Sequence, residues 1–449
     1  MAGTTWPRCL AGRISRAPSR DHRAAVVQDT IYALSTGRPP AAIAVIRASG
    51  PGAHDAARQL AGELPPVRHA ALRPLTDPMT GELIDEALLL RFDAPASATG
   101  ENVVEFHCHG GRAVVDALLR ALDKMEGLRL ALPGEFTRRA LANGRIDLTE
   151  AEGLADLLSA ETELQRRSAM ARAGGALRTR LDGWRERILA LSARAEVAID
   201  YSDEAEGGNP DNLVAELEQL GSEMTRLLSA PRVEPLRDGI RVVVAGPPNA
   251  GKSSLVNALA QSERAIVTAI PGTTRDVIEV PLAIAGIPFI LVDTAGLRES
   301  TDEVEAIGIG RAEREAGRAD ILLWLGDPAE IPEHSGAIQL APKADLTKRS
   351  GVGLSVSSLS GEGIPILLRQ LIERAGTLLP KGDEIALERR QHDLLELGAN
   401  ALTRASSLSD PVLVADELRI ARLSIDRISG RAGIEELLDT LFGRFCLGK

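Results

Sequence analysis

Cysteine is scarce in this chain of 449 residues. Cys9, Cys108 and Cys446 stand far apart and form no Cys-x-x-Cys, which excludes a disulfide framework or a thiolate zinc site and fits a reducing, cytoplasmic setting. Long apolar runs are missing as well. The longest are strand-length, such as Ile240 to Ala245, so no segment is expected to span a membrane. There is no internal repeat and no low-complexity tract. Nor is there an excess of positive charge: the formal net charge is -11, and the balance does not advertise a nucleic-acid partner. Any contact with RNA must use a local basic patch or a second protein.

What is present is the composition of an ordinary globular protein, 44% hydrophobic and 26% charged, long enough for two to four domains. Residues 1–25 carry five arginines against one acid, Asp21, without periodicity or a central apolar run. They are no secretory signal and are expected to be a disordered tail or a mis-assigned start.

Four regions follow. Residues 26–145 mix short β-branched runs, Ala41 to Ile46 and Asn102 to Phe106, with turn clusters such as His109-Gly110-Gly111, the pattern of a small α/β domain. Within residues 146–236 apolar residues recur at helical spacing: Leu154, Leu157, Leu158, Leu177, Leu181, Trp184, Ile188. Strand and helix patterns alternate over 237–377, the signature of a mostly parallel sheet covered on both faces. Helical spacing returns over 378–449, with Leu394, Leu395, Leu402, Leu418 and Ile425. Since neither helical stretch has a partner of its own, they are expected to form one helical domain interrupted by the inserted sheet domain.

Gly246-Pro247-Pro248-Asn249-Ala250-Gly251-Lys252-Ser253 matches G-x-x-x-x-G-K-S between a strand, Ile240 to Ala245, and a helix from Ser254. In such a loop backbone N–H groups turn inward around phosphates, Lys252 reaches the outer ones, and Ser253 offers a hydroxyl to Mg2+. Gly272-Thr273-Thr274-Arg275-Asp276 is a threonine loop that would close over the metal and the γ-phosphate, with Thr274 as a second hydroxyl on Mg2+, and the preceding Thr268, Ala269, Ile270 and Pro271 are counted with the nucleotide site. After the strand Phe289 to Val292 comes Asp293-Thr294-Ala295-Gly296: Asp293 would hold a metal-bound water, and the Gly296 N–H would touch the γ-phosphate. Lys343-Ala344-Asp345 follows an apolar strand and places Asp345 to accept the N–H pair of guanine, a pair that adenine lacks; Ser357-Ser358-Leu359 matches the last guanine-contacting loop. The nucleotide is therefore GTP. Two departures stand out: Leu297 occupies the position of the water-orienting glutamine of Ras-like enzymes, and Pro342 that of the asparagine before Lys343.

From about residue 26 the chain resembles the tRNA modification GTPases of the MnmE (TrmE) family. The resemblance rests on Val45-Ile46-Arg47, Ser49-Gly50-Pro51, Val103-Val104-Glu105, Pro133-Gly134-Glu135-Phe136, Asp147-Leu148-Thr149-Glu150-Ala151-Glu152 and the terminal Phe445-Cys446-Leu447-Gly448-Lys449. It implies an N-terminal folate-binding and dimerisation domain, a discontinuous helical domain, an inserted Ras-like G domain and a homodimer. A flavoprotein of the MnmG (GidA) family, which carries FAD, would join it in a heterotetramer. Together they would add an aminomethyl-type group, carboxymethylaminomethyl, to carbon five of the wobble uridine of certain tRNAs, with the one-carbon unit from methylene-tetrahydrofolate.

The same resemblance implies K+ ligation by Asn249, Thr268, Ile270 and Thr273, the cation supplying the charge that an arginine finger gives elsewhere. It implies water orientation by Glu305, although the run Asp302-Glu303-x-Glu305 by itself reads as a solvated helix face. For folate the matching positions are Arg47, Glu105, Arg145 and Lys449; Arg145 replaces a lysine found in some members. Cys446 is implied as a functional residue and a candidate nucleophile, and reads equally as a small apolar neighbour of Phe445. His107-Cys108-His109 invites a metal reading, yet strand alternation puts both histidines on one face with no third ligand. A ribosome-assembly GTPase, or a GTP-switched folate-binding scaffold without modification chemistry, are the competing readings.

Overall fold

The computed structural model describes residues 29–200, 210–262, 265–267, 278–293, 314–346, 353–380, 385–432, 438, 441–443, 445 and 448. The described residues up to Phe136, together with Gly448, form one compact unit, and those from Thr137 to Phe445 form a second.

The first unit contains β1 (Thr30–Leu34), β2 (Ile43–Ser49), α1 (Ala53–Ala61), β3 (Ala70–Thr76), β4 (Leu83–Phe92), β5 (Val103–His109), α2 (Arg112–Asp123) and β6 (Leu128–Leu130). Its sheet runs β3-β4-β5-β2-β1-β6, antiparallel except for the β1–β6 pair. Alternation fixes the faces. Ala44, Ile46 and Ala48 of β2 and Val104, Phe106 and Cys108 of β5 are buried among Ala57 and Leu60 of α1 and Leu118 and Leu122 of α2. That leaves Val45, Arg47, Glu105 and His107 on the opposite, partly open face.

Helix α3 (Glu135–Ala142) leads out of this unit. The second unit continues with α4 (Leu148–Ser159), α5 (Glu163–Ala173), α6 (Ala176–Asp200), α7 (Pro210–Leu228) and the short α8 (Glu234–Asp238). Asp147 caps α4 in a reciprocal capping box with Glu150, the local reason for the Asp-x-x-Glu in the sequence. The sheet domain follows: β7 (Ile240–Ala245), α9 (Lys252–Ala260), β8 (Ala265–Val267), β9 (Ile278–Ile284), β10 (Ile287–Asp293), β11 (Ile321–Trp324), β12 (Ala337–Pro342), β13 (Leu354–Val356) and α10 (Ile364–Leu378). The chain returns through α11 (Arg389–Ser406) and α12 (Pro411–Ile428). Leu181, Trp184 and Ile188 of α6, Leu220 and Met224 of α7, Leu395 and Leu402 of α11, and Leu418 and Ile425 of α12 share one core, so the two helical stretches complete each other.

The seven-stranded sheet runs β13-β12-β11-β7-β10-β9-β8. β7 lies between parallel β10 and β11 and is buried on both faces, Val242 and Val244 on one, Val243 and Ala245 on the other. This explains the apolar run Val242 to Ala245. The far edge departs from the parallel pattern: β9 is antiparallel to β10, and β8 to β9. Residues 325–336, between β11 and β12, carry no α-helix, only the 3-10 turn Pro328–Glu330. Among the described residues no helix is long and apolar enough to cross a membrane.

Candidate functional site

The loop after β7 adopts a backbone that its residue types permit. Gly246 and Gly251 have φ of 146° and 97°, and Asn249 sits at 59°. A Cβ added at Gly251 would meet no atom within 4 Å, so the glycine answers to its φ and keeps the space before α9 clear. Gly251, the N-cap of α9, gives the first turn no side-chain hydrogen bond. Such a terminus suits an anion. Lys252 is 5% exposed, and its Nζ donates to the Gly246 and Pro247 carbonyls at 3.0 and 2.9 Å, which fixes the ammonium inside the curve of the loop. Asp293 ends β10 directly beside Val244 of β7, the strand that leads into the loop, and is 3% exposed.

The second cluster forms at the ends of β12 and β13, which pair in parallel from Leu340–Leu354 to Pro342–Val356. Lys343 has φ of 60°, and the Ala344 N–H donates to the Val356 carbonyl at 3.2 Å. Asp345 is exposed, yet one of its oxygens accepts from the fully buried Ser357 hydroxyl at 2.6 Å. The Ser357 Oγ accepts in turn from the N–H groups of Leu359 and Ser360. Ser357 thus sets the Asp345 carboxylate while its own loop is held in place. Pro342 brings neither a side-chain polar group nor an N–H to this junction. Pro342→Asn is expected to tighten GDP and GTP by about 0.5–1.5 kcal/mol, one net hydrogen bond. Titration with a fluorescent GDP analogue checks it, and unchanged affinity would mean that the Ala344 and Ser357 bonds already do the bracing.

In the first unit Arg47 and Glu105 face each other directly across β2 and β5. The guanidinium donates through Nε to the Oε1 carboxylate oxygen at 2.9 Å, with Nη2 2.8 Å from the same oxygen in the ion pair, and lies 5.6 Å from the Phe136 ring centroid. Phe136 as an aromatic support for Arg47 was not legible in the sequence. Gly448 also joins this unit: the Ser35 hydroxyl donates to its carbonyl at 3.0 Å, and its φ is 92°. An added Cβ there would lie 2.1 Å from the Leu34 carbonyl oxygen, so only glycine fits. Leu34 ends the strand whose Ala33 is the register partner of Arg47. Gly448 therefore packs against the sheet that bears Arg47 and Glu105. Arg145 is exposed in the turn between α3 and α4, its N–H bonded to the Ala140 carbonyl.

Cys108 is buried on the opposite sheet face from the two histidines, and burial pushes its thiol up to about 11. His109, exposed at the end of β5, is held by Asp85, at 2.8 Å. The three residues do not converge on one point. Thr268 to Thr274, Thr294 to Gly296, Glu305, Cys446 and Lys449 lie outside the described residues.

A mostly parallel sheet whose central strand turns through a glycine loop into a helix, with the following strands in this order, is that of a P-loop GTPase. Residues 30–145 match the family described as GTP-binding protein TrmE N-terminus, and residues 148–446 match the MnmE helical domain. The tRNA modification GTPase MnmE of Rhizorhabdus wittichii is 53% identical over 439 residues, 96% of this chain and 99% of its own. That of Erythrobacter litoralis is 53% identical over 427 residues, 94% of this chain and 100% of its own. The G domain of the T. maritima FeoB iron transporter, a solved structure, is 27% identical over 30% of this chain and 98% of its own, with a TM-score of 0.21. The chain belongs to the MnmE family of tRNA modification GTPases.

Proposed function

We propose that this protein is a potassium-stimulated GTPase. With a flavoprotein of the MnmG (GidA) family it adds a carboxymethylaminomethyl-type group to carbon five of the wobble uridine of certain tRNAs. The observation that carries the reading is the combination in one chain of the phosphate loop around Lys252 and the Arg47–Glu105 pair beside the docked Gly448. The near-full-length likeness to relatives named for tRNA modification supports it.

In this reading 26–145 binds folate and forms the homodimer, 146–236 and 378–449 make the helical domain, and 237–377 the G domain. The loop N–H groups and Lys252 hold the phosphates, Ser253 and Thr274 face Mg2+, and Asp345 reads guanine. Asn249, Thr268, Ile270 and Thr273 face K+, which when bound supplies positive charge beside the phosphates. Glu305 orients water in place of the missing glutamine. Arg47, Glu105, Arg145 and Lys449 bind methylene-tetrahydrofolate; a carboxylate held by one cation on one oxygen keeps acceptor capacity for the N–H groups of a pterin, which is why Glu105 fits. Cys446 acts near that site. The setting is the cytoplasm.

Mass spectrometry of tRNA nucleosides from cells lacking the protein tests the assignment: loss of the modified wobble uridine is expected, and an unchanged nucleoside profile would exclude it. Hydrolysis is also expected to run much faster in potassium than in sodium, with Asn249→Ala removing that preference and leaving nucleotide binding largely intact. Equal rates in the two salts for the unaltered protein would count decisively against the cation cage.

A further inference from the structure

The strand that carries Glu105 also carries His107, two residues on and therefore on the same open face. His107 Nε2 lies 3.3 Å from Glu105 Oε2, the carboxylate oxygen that Arg47 does not use. Each oxygen of Glu105 thus has its own protein partner: Arg47 on Oε1, His107 on Oε2. Among the described residues Glu105 is the one hydrogen-bond partner of the His107 side chain. The register neighbours of His107 are Val45 on β2 and Leu88 on β4, both apolar. Glu105 and His107 are 16% and 28% exposed at the side chain, sheltered enough for the bond to fix geometry.

We propose that His107 is a positioning residue for reduced folate, with its Nε2–H donating to Glu105 Oε2 and holding the carboxylate plane. The inference rests on the folate reading of Arg47 and Glu105. A 2-amino-4-oxopyrimidine ring, the head of every folate, presents two adjacent N–H donors to a carboxylate, and such paired bonds depend on the orientation of the carboxylate plane. Arg47 alone fixes one oxygen and leaves the group able to pivot about it. His107 removes that freedom before the ligand arrives, so less ordering remains to be done on binding. The histidine that suggested a metal ligand in the sequence has this polar task instead.

Calorimetric titration of 5-formyl-tetrahydrofolate into the full chain tests this. His107→Leu is expected to weaken binding about five- to tenfold, in the range of one net hydrogen bond. His107→Gln, whose amide keeps an N–H donor, is expected to restore affinity to within about twofold, a rescue that a purely structural role for the ring would not give. Unchanged affinity in His107→Leu, or equal weakening in both variants, would overturn the inference. Glu105→Gln separates the layers. If it binds folate as tightly as the unaltered chain, or if the unaltered chain does not bind, the folate reading itself falls; if only Glu105→Gln loses affinity, the role of His107 alone falls.

Discussion

Asp345→Asn is expected to lower affinity for GTP and GDP by on the order of a hundredfold or more and to shift preference towards xanthine nucleotides. Guanine offers two N–H donors on its Watson–Crick edge, and a carboxylate accepts both with its charge assisting each bond. The Ser357 hydroxyl, itself buried, holds one Asp345 oxygen at 2.6 Å, so the carboxylate meets the base in a preset orientation. The amide of asparagine places an N–H donor against the 2-amino group of guanine, two donors face to face. Xanthine has a carbonyl at that position and restores the match. Competition of GDP against xanthosine diphosphate for the unaltered and altered proteins measures the reversal. A variant that still prefers guanine would remove Asp345 from base recognition.

The second large effect is on stability. Arg172 is 3% exposed and joins two buried or half-buried carboxylates: Asp156 on α4, through a short hydrogen bond, and Glu388, the N-cap of α11, at 2.6 Å. Arg237 of α8 lies 3.5 Å from the same Glu388 oxygen, and Arg390 and Gln391 reach Glu152 on α4 at 2.9 and 2.6 Å. The chain passes into the sheet domain through α8 and returns at Glu388, so this network ties both crossings to α4 and α5. Arg172→Met keeps most of the volume and leaves the carboxylates buried without their cation, which is expected to cost about 3–5 kcal/mol. Burial already holds the Asp156 carboxyl above its ordinary range, with the Arg172 charge opposing that rise. Removing the charge raises it further. A carboxyl whose folded-state pKa exceeds its unfolded value stabilises fully below the unfolded value and loses that contribution as pH rises through the folded one. The deficit of the variant should therefore be larger at pH 8 than at pH 5. Urea unfolding followed by the helical signal at both pH values checks it, and a deficit independent of pH would show that packing, not charge, sets the loss.

Much of the nucleotide site was legible because its chemistry is local. Gly246 to Ser253 is one contiguous turn between a strand and a helix, and its constraints, two glycines with positive φ and a lysine that must fold back over the loop, are met within eight residues. The strand Ile240 to Ala245 was visible for a similar reason, since burial on both faces leaves its stretch Val242 to Ala245 without polar alternation. The short connection from Ile321–Trp324 to the next strand was legible too, because about a dozen residues leave little room for a helix, and only a 3-10 turn forms there. By contrast β8 and β9, the antiparallel edge, depend on which strands become neighbours. No sequence period encodes that.

By itself the sequence determined the class of chemistry, through contiguous motifs such as Gly246 to Ser253, and the strand faces, including the placement of His107 and His109 together and Cys108 opposite, because these follow from a period of two. Tertiary structure alone decided which side chains work together. Arg47 meets Glu105, 58 residues away, only because β2 and β5 pair in that register; a slip of one residue would turn every side chain of the strand to the other face. Gly448 reaches Ser35 across 413 residues, and Arg172 reaches Glu388 across 216. Such meetings are fixed by the packing of whole elements around shared cores, where each contact depends on all the others that bring the chain back, and so no local stretch of sequence contains them.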